Sequence, residues 1–156
     1  MPFFELLFLG YWRFLIYPFY KKKYIIGSLR FNGYCIRIYG SGKVYSGNGS
    51  YISFYSYINL ASQTSLNLGK NVSIGHNVKI YTSGINVEDF IKKQELNSLN
   101  ADVFIGNNTL IGSNTFILPG TKIGNNVMVG ANSVVRGSFP DNCVIAGAPA
   151  RILKKY

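Results

Sequence analysis

The sequence predicts an all-β fold, a parallel β-helix solenoid with an N-terminal helical segment and one long extruded loop. Three observations carry this. Across residues 105–135 an aliphatic residue returns every six positions, as Ile105, Ile111, Ile117, Ile123, Val129 and Val135, a period that suits neither an amphipathic helix nor a simple strand. Four places after each stands a small or β-branched residue: Thr109, Thr115, Thr121, Val127 and Ser133. Three places after each stands Asn108, Asn114, Gly120, Asn126 or Asn132, and Asn and Gly enter the left-handed backbone region at least cost. Each unit is thus a short strand closed by a fixed corner, and where Asn is missing Pro119-Gly120 supplies a tight turn with positive φ. Strands joined by identical corners wind into a coil whose aliphatic and small positions point inward.

Residues 1–30 form the N-terminal segment. Residues 2–20 are almost wholly apolar and aromatic, and Lys21, Lys22 and Lys23 follow at once. The charge lies after the apolar run and no small-residue cleavage site follows, which is the wrong order for a signal peptide. A bilayer span would place Arg13 near its centre at a cost of about 3 kcal/mol. A helix lying in the interface, with Trp12, Tyr17 and Tyr20 at headgroup depth, costs less. A helix folded back to cap the coil or to touch another subunit is the alternative.

The coil is expected over residues 31–150. A degraded six-residue register is visible from Gly40, through Ser46, Ile52 and Ile58, with Val44 and Ser50 in the small inward positions. The cluster Tyr51, Phe54, Tyr55 and Tyr57 suits either packing between subunits or stacking on a sugar ring. After an interruption near residues 59–66 the register returns at Leu68, Ile74 and Ile80, with Asn71 and Asn77 at the corners. From Ile80 to the next inward residue, Ile105, the chain is far longer than one repeat, so residues 83–102 leave the coil as a loop. Long excursions from a rigid scaffold usually serve function. Residues 151–156 are a basic tail.

A chain of 156 residues suits one domain, and its net charge of +10 favours polyanions. The basic residues cluster at the termini and form no nucleic-acid-binding motif. Cys35 and Cys143 are the only cysteines, too few for a disulfide framework, which fits the cytoplasm.

The repeat resembles that of the left-handed parallel β-helix (hexapeptide-repeat) acyltransferases. The ending VIAGAPARI resembles that of the acetyl-coenzyme A dependent members, especially the maltose, galactoside and capsule or O-antigen O-acetyltransferases. This resemblance implies a left-handed coil, a homotrimer, no metal, and acetyl-CoA bound in a groove between subunits. It carries over Gly112, Gly130 and Ala131 to the pantetheine arm, Ala148-Pro149 to the adenine, and Arg151 and Lys154 to the phosphates, with Arg136 a further phosphate candidate. It implies transfer to a sugar of a cell-surface polysaccharide or its precursor, by a cytoplasmic protein at the inner face of the membrane. Asn77 and Tyr81 are the acceptor-binding candidates.

Acetyl transfer from a thioester to a hydroxyl needs a base. The matching family histidine position is occupied here by Ile85, after Thr82, Ser83 and Gly84. His76, the only histidine, is one candidate; Asp89 or Glu88 in the loop is another, acting on an amino sugar as an N-acetyltransferase. A non-catalytic β-helix that binds a membrane or partner enzyme is the third reading. A zinc carbonic anhydrase of this fold is excluded, since one histidine cannot supply three ligands.

Overall fold

The computed structural model describes residues 3–24 and 26–156. Met1, Pro2 and Ile25, which fall in the expected N-terminal segment, lie outside the described residues.

The chain opens with a helical run: α1 (Phe3–Tyr11), a π-helical turn (Trp12–Ile16) and α2 (Tyr17–Lys23). The wider turn lets residues five apart share a face. Trp12 and Tyr17 are both buried, and Tyr24 and Ile26 continue that buried side. Tyr17 stacks on Phe31 at 4.3 Å and donates its hydroxyl to the carbonyl of Gly33 at 2.8 Å. Tyr24 donates to the carbonyl of Ile38 at 3.1 Å. The inner side of the run therefore closes the open end of the coil, which would otherwise expose its apolar core to water. No helix among the described residues is long and apolar enough to cross a membrane.

The strands come in threes. The turns of the coil are β1 (Arg30–Asn32), β2 (Arg37–Gly40), β3 (Lys43–Ser46); β4 (Tyr51–Ser53), β5 (Tyr57–Leu60), β6 (Ser65–Leu68); and then β7 (Ser73–Ile74) and β8 (Lys79–Tyr81). Here an arm leaves the coil: β9 (Ser83–Ile85), α3 (Val87–Lys93) and β10 (Ser98–Asn100). The coil resumes with β11 (Val103–Ile105), β12 (Leu110–Ile111), β13 (Phe116–Ile117), β14 (Lys122–Ile123), β15 (Met128–Val129), β16 (Val134–Val135) and β17 (Ser138–Phe139). It ends with β18 (Cys143–Gly147) and β19 (Ala150–Lys155).

Successive strands join three different parallel sheets in rotation. Face one is β1-β4-β7-β12-β15-β18, face two is β2-β5-β8-β13-β16, and face three is β3-β6-β11-β14-β17. The inward aliphatic residues stack in columns: Ile52, Ile74, Ile111, Val129 and Ile145 on face one; Ile38, Ile58, Ile80, Ile117 and Val135 on face two. All are buried. Each such side chain removed from water contributes about 1.5–3 kcal/mol, so the columns are the main favourable term of the fold.

Two corrections to the repeat register follow. The coil begins at Arg30, ahead of the Gly40 at which the register first shows, and Ile38, not Gly40, faces Ile58. Gly40 is a corner with φ of 92°, and a Cβ there would collide with the Leu60 carbonyl oxygen. The tail is also not separate from the coil, because β19 pairs antiparallel with β18 and covers its outer edge.

The corners behave as the Asn and Gly spacing predicts. Asn71, Asn108, Asn126 and Asn142 on the edge between faces three and one have φ between 53° and 57°. Their amides also form a ladder: Asn71 Nδ2 donates to Asn108 Oδ1 at 3.1 Å, Asn108 to Asn126 at 3.3 Å and Asn126 to Asn142 at 3.0 Å.

The arm is self-supporting. β9 and β10 pair antiparallel, with Ser83 opposite Asn100 and Ile85 opposite Ser98. At its tip Asn86 caps α3 by accepting from the amides of Glu88 and Asp89, and Gln94 ends the helix in the left-handed region. No residue of α3 is buried.

Candidate functional site

The edge between faces one and two is built from small residues stacked turn on turn. Gly75 donates its amide to the Ile111 carbonyl at 2.9 Å, Gly112 to Val129 at 2.8 Å and Gly130 to Ile145 at 2.8 Å. The turns approach so closely that a Cβ on Gly112 would lie 2.5 Å from the Ala131 nitrogen, and one on Gly130 would lie 2.7 Å from Cβ of Ala146. Larger side chains are excluded, and the backbone along this edge is bare enough for a slender ligand to lie against it. At its C-terminal end β18 runs into a tight hairpin through Ala148-Pro149, and Gly147 donates to Ser133 Oγ at 3.1 Å. Gly112, Gly130, Ala131 and the Ala148-Pro149 turn therefore share one edge.

His76 stands on the same edge, one turn above Ser113. Its backbone amide donates to Ser113 Oγ at 3.2 Å and its carbonyl accepts from Asn114 at 2.9 Å. With strands about 4.8 Å apart, two turns separate His76 from the level of Ala131 by roughly 10 Å. The imidazole is exposed and packs 5.5 Å from the Phe54 ring, inside a cluster that includes Tyr34 and Tyr55.

The other candidates separate. Asn77 is committed to the scaffold: it takes φ of 54°, donates to Asn114 Oδ1 at 2.8 Å and accepts from Lys79 Nζ at 2.7 Å. Tyr81 lies on face two, where it meets Tyr57 at 5.8 Å and lines a cavity of about 410 Å³ with Arg37, Tyr55, Tyr57 and Lys79. This cavity borders the His76 edge through Tyr55. Arg151 sits opposite Ala146 at the hairpin, close to the edge, while Lys154 lies further along face one with its Nζ 4.5 Å over Tyr156. Arg136 follows β16 and so occupies the edge between faces two and three. The structure does not bring Arg136 to the edge of the other donor candidates.

The loop carboxylates are occupied with holding the arm. Asp89 pairs with Lys93 at 2.9 Å and accepts from Asn86 at 2.9 Å and Asn97 at 3.2 Å. The hydrogen bonds from Lys93 and Asn97 hold its pKa below the ordinary carboxylate value, which makes it a poorer proton acceptor. Glu88 pairs with Lys92 at 2.6 Å. Both lie on the arm that leaves between β8 and β11, away from the edge that carries His76. Among the described residues no group of three His, Cys, Asp or Glu could hold a metal.

Tyr57 belongs to the aromatic cluster that the sequence marks for packing or sugar stacking, whereas Arg37 and Lys79 were not singled out from the sequence. They share one outward column, Arg37 opposite Tyr57 and Tyr57 opposite Lys79, which is visible only once the unequal turns are aligned.

A three-faced coil of six-residue steps, with a small-residue edge and a closing hairpin, is similar to the hexapeptide-repeat transferases, and the sequence match to them covers part of the chain. The family model described as bacterial transferase hexapeptide (six repeats) matches residues 102–137. A protein described as a lipopolysaccharide biosynthesis O-acetyl transferase, WbbJ of Escherichia coli strain K12, is 52% identical over 54 residues, 35% of this chain and 28% of WbbJ. The aligned stretch is thus less than a third of that relative's length. A galactoside acetyltransferase solved in complex with coenzyme A matches 97% of this chain and 78% of its own, at 25% identity and a TM-score of 0.69. A hexapeptide-repeat acetyltransferase from Vibrio cholerae O1 biovar eltor, solved with acetyl coenzyme A, covers 89% of this chain and 75% of its own at a TM-score of 0.75 and 24% identity, a likeness of fold.

Proposed function

We propose that the protein is a left-handed coil that assembles as a homotrimer and transfers an acetyl group from acetyl-CoA to a sugar hydroxyl of a cell-surface polysaccharide or its precursor. The observation that carries this reading is the single edge that holds Gly112, Gly130, Ala131, the Ala148-Pro149 turn and, above them, His76. The similarity to WbbJ and to the galactoside acetyltransferase solved with coenzyme A supports the chemistry. The pantetheine arm lies along the bare edge, with Arg151 near the phosphates. The acceptor sugar sits in the face-two cavity, where Tyr57 and Tyr81 offer ring faces and Arg37 and Lys79 offer donors.

In the reaction a ring nitrogen of His76 takes the proton of the acceptor hydroxyl as its oxygen bonds to the thioester carbonyl carbon. The carbon–sulfur bond then breaks, coenzyme A leaves as the thiol with that proton, and the acetyl group remains as an ester. The engaged state of Asp89 and Glu88 favours His76 as base, and with it the hydroxyl over the amine. Location at the inner face of the cytoplasmic membrane is part of the reading, through the outward side of the N-terminal helices.

The test is the kinetics of His76→Ala with equilibrium binding of coenzyme A. Turnover should fall by about 100-fold to 10,000-fold while donor affinity changes little, because a base acts on the transition state. Asp89→Asn and Glu88→Gln should retain activity. An inactive Asp89→Asn beside an active His76→Ala would move the base to the arm, and failure to bind coenzyme A would remove the transferase reading.

A further inference from the structure

A cavity of about 760 Å³ lies between the N-terminal helical run and the first strand of face one, outside the edge and cavity used above. Arg13 and Lys21 reach it from the helices and Arg30 from β1, while Tyr17, Phe31 and Tyr51 form its walls. No carboxylate lines it. Among the described residues the ion pairs are those of Lys92 and Lys93, and none engages Arg13, Lys21 or Arg30. The walls are rigid, with Tyr17 stacked on Phe31 within 12° of parallel and tied to the Gly33 carbonyl.

The same helices carry an outward apolar surface. Leu6, Leu7, Phe14, Leu15 and Phe19 are between 54% and 74% exposed. Glu5 is the one acidic residue of the run, and Lys21, Lys22 and Lys23 close it. A helix apolar on its open side and basic at its rim fits the boundary between acyl chains and anionic headgroups. A second copy of this chain fits less well, since it would set one basic cluster against another.

We propose that this cavity receives the phosphate of an anionic lipid headgroup while the outward side of the helices lies in the bilayer interface. Arg13 and Arg30 supply forked donors that match phosphate oxygens, and Lys21 adds a point charge. The inference rests on the interfacial location proposed above, and it adds a defined headgroup site to a general attraction.

Co-sedimentation with vesicles of phosphatidylcholine alone, and of phosphatidylcholine mixed with phosphatidylglycerol, separates the two. The full chain should bind the mixed vesicles at least about tenfold more tightly. Arg13→Glu/Arg30→Glu should abolish that preference without lowering the melting temperature, as all three lining cations are at the surface. Lys43→Glu/Lys70→Glu, an equal change of net charge elsewhere, should retain most of it. Phe14→Ser/Leu15→Ser should weaken binding to both kinds of vesicle. If the wild type binds neither vesicle, the interfacial location and the headgroup site both fall. If the two charge-reversed proteins lose affinity equally, the location stands and the site falls. Release from mixed vesicles by inorganic phosphate at the concentration of the lipid would make the cavity a soluble-phosphate site and overturn the lipid assignment.

Discussion

Two edges of the same coil are built to different rules. On the edge between faces one and two the steps from Ile52 to Ile58, Ile74 to Ile80, Ile111 to Ile117 and Val129 to Val135 are all six residues, and Gly75, Gly112 and Gly130 keep the turns in close contact. On the edge between faces two and three the steps vary. Ile38 to Ser46, Ile58 to Leu68 and Ile80 to Ile105 each exceed six residues, and the last contains the whole arm. The regular edge tolerates no added atom because backbone meets backbone. The irregular edge tolerates insertion because the extra segments find partners for their polar groups: Thr82 Oγ1 accepts from the amide of Ala61 in the preceding turn, and the arm has its own strand pair and helix cap. Candidate donor residues lie on the rigid edge and the long excursion on the permissive one, which is the division expected when a ligand needs fixed backbone and an insertion needs room.

Changes to the coil should cost most. Ile117→Asp would bury an unpartnered carboxylate in the face-two column and should destabilise by on the order of 4 kcal/mol, read as a large drop in melting temperature. Replacing residues 84–99 by a short turn should change stability by less than about 1 kcal/mol, because α3 buries no residue. If the arm proves as costly as the column, the two edges are not independent.

Glycine substitution sharpens the contrast. Gly112→Ala places a carbon 2.5 Å from backbone and should cost about 2 kcal/mol, with weakened coenzyme A binding. Gly84→Ala meets only the Pro119 ring at 3.4 Å and should stay within about 0.5 kcal/mol. Equal melting temperatures for the two would contradict the close approach on the regular edge.

The third edge gives a smaller effect. On sequence alone Gly in place of Asn126 is nearly neutral, since both accept positive φ. The amide ladder changes that expectation: Asn126→Gly should lose about 1 kcal/mol through its two broken hydrogen bonds, and Asn126→Val should lose about 1 kcal/mol more through its backbone. Denaturant unfolding of both variants measures the difference.

The smallest effect is a pH dependence. Asp141 accepts from the Asn125 backbone at 2.7 Å and from its side chain at 3.1 Å, and these bonds hold its pKa below the ordinary 3.8. A carboxyl depressed in the folded state stabilises fully above its unfolded pKa and loses that contribution as pH falls through the lower folded value. The melting temperature of the wild type should therefore decline on acidification below about pH 4, and Asp141→Asn should flatten part of that decline.

The inward columns, the left-handed corners and the position of the excursion were legible in the sequence because each depends on local chemistry repeated at fixed spacing. Ile117 must be buried wherever a six-residue coil closes, and Asn126 must turn the chain there for the same backbone reason. Less legible was anything that depends on which turn stacks on which. Arg37, Tyr57 and Lys79 form one column only after the unequal steps of the irregular edge are summed, and no local pattern announces those steps. His76 could be read as a corner residue, but its place one turn above Ser113, on the edge of Gly112 and Gly130, follows from the strand register. Arg136 lies three residues from Ser133 yet on another edge, because strand β16 runs between them across face two. Local chemistry determines the strand and its corner; only the stacking of turns, where distant residues come within hydrogen-bonding reach, decides which side chains share a site.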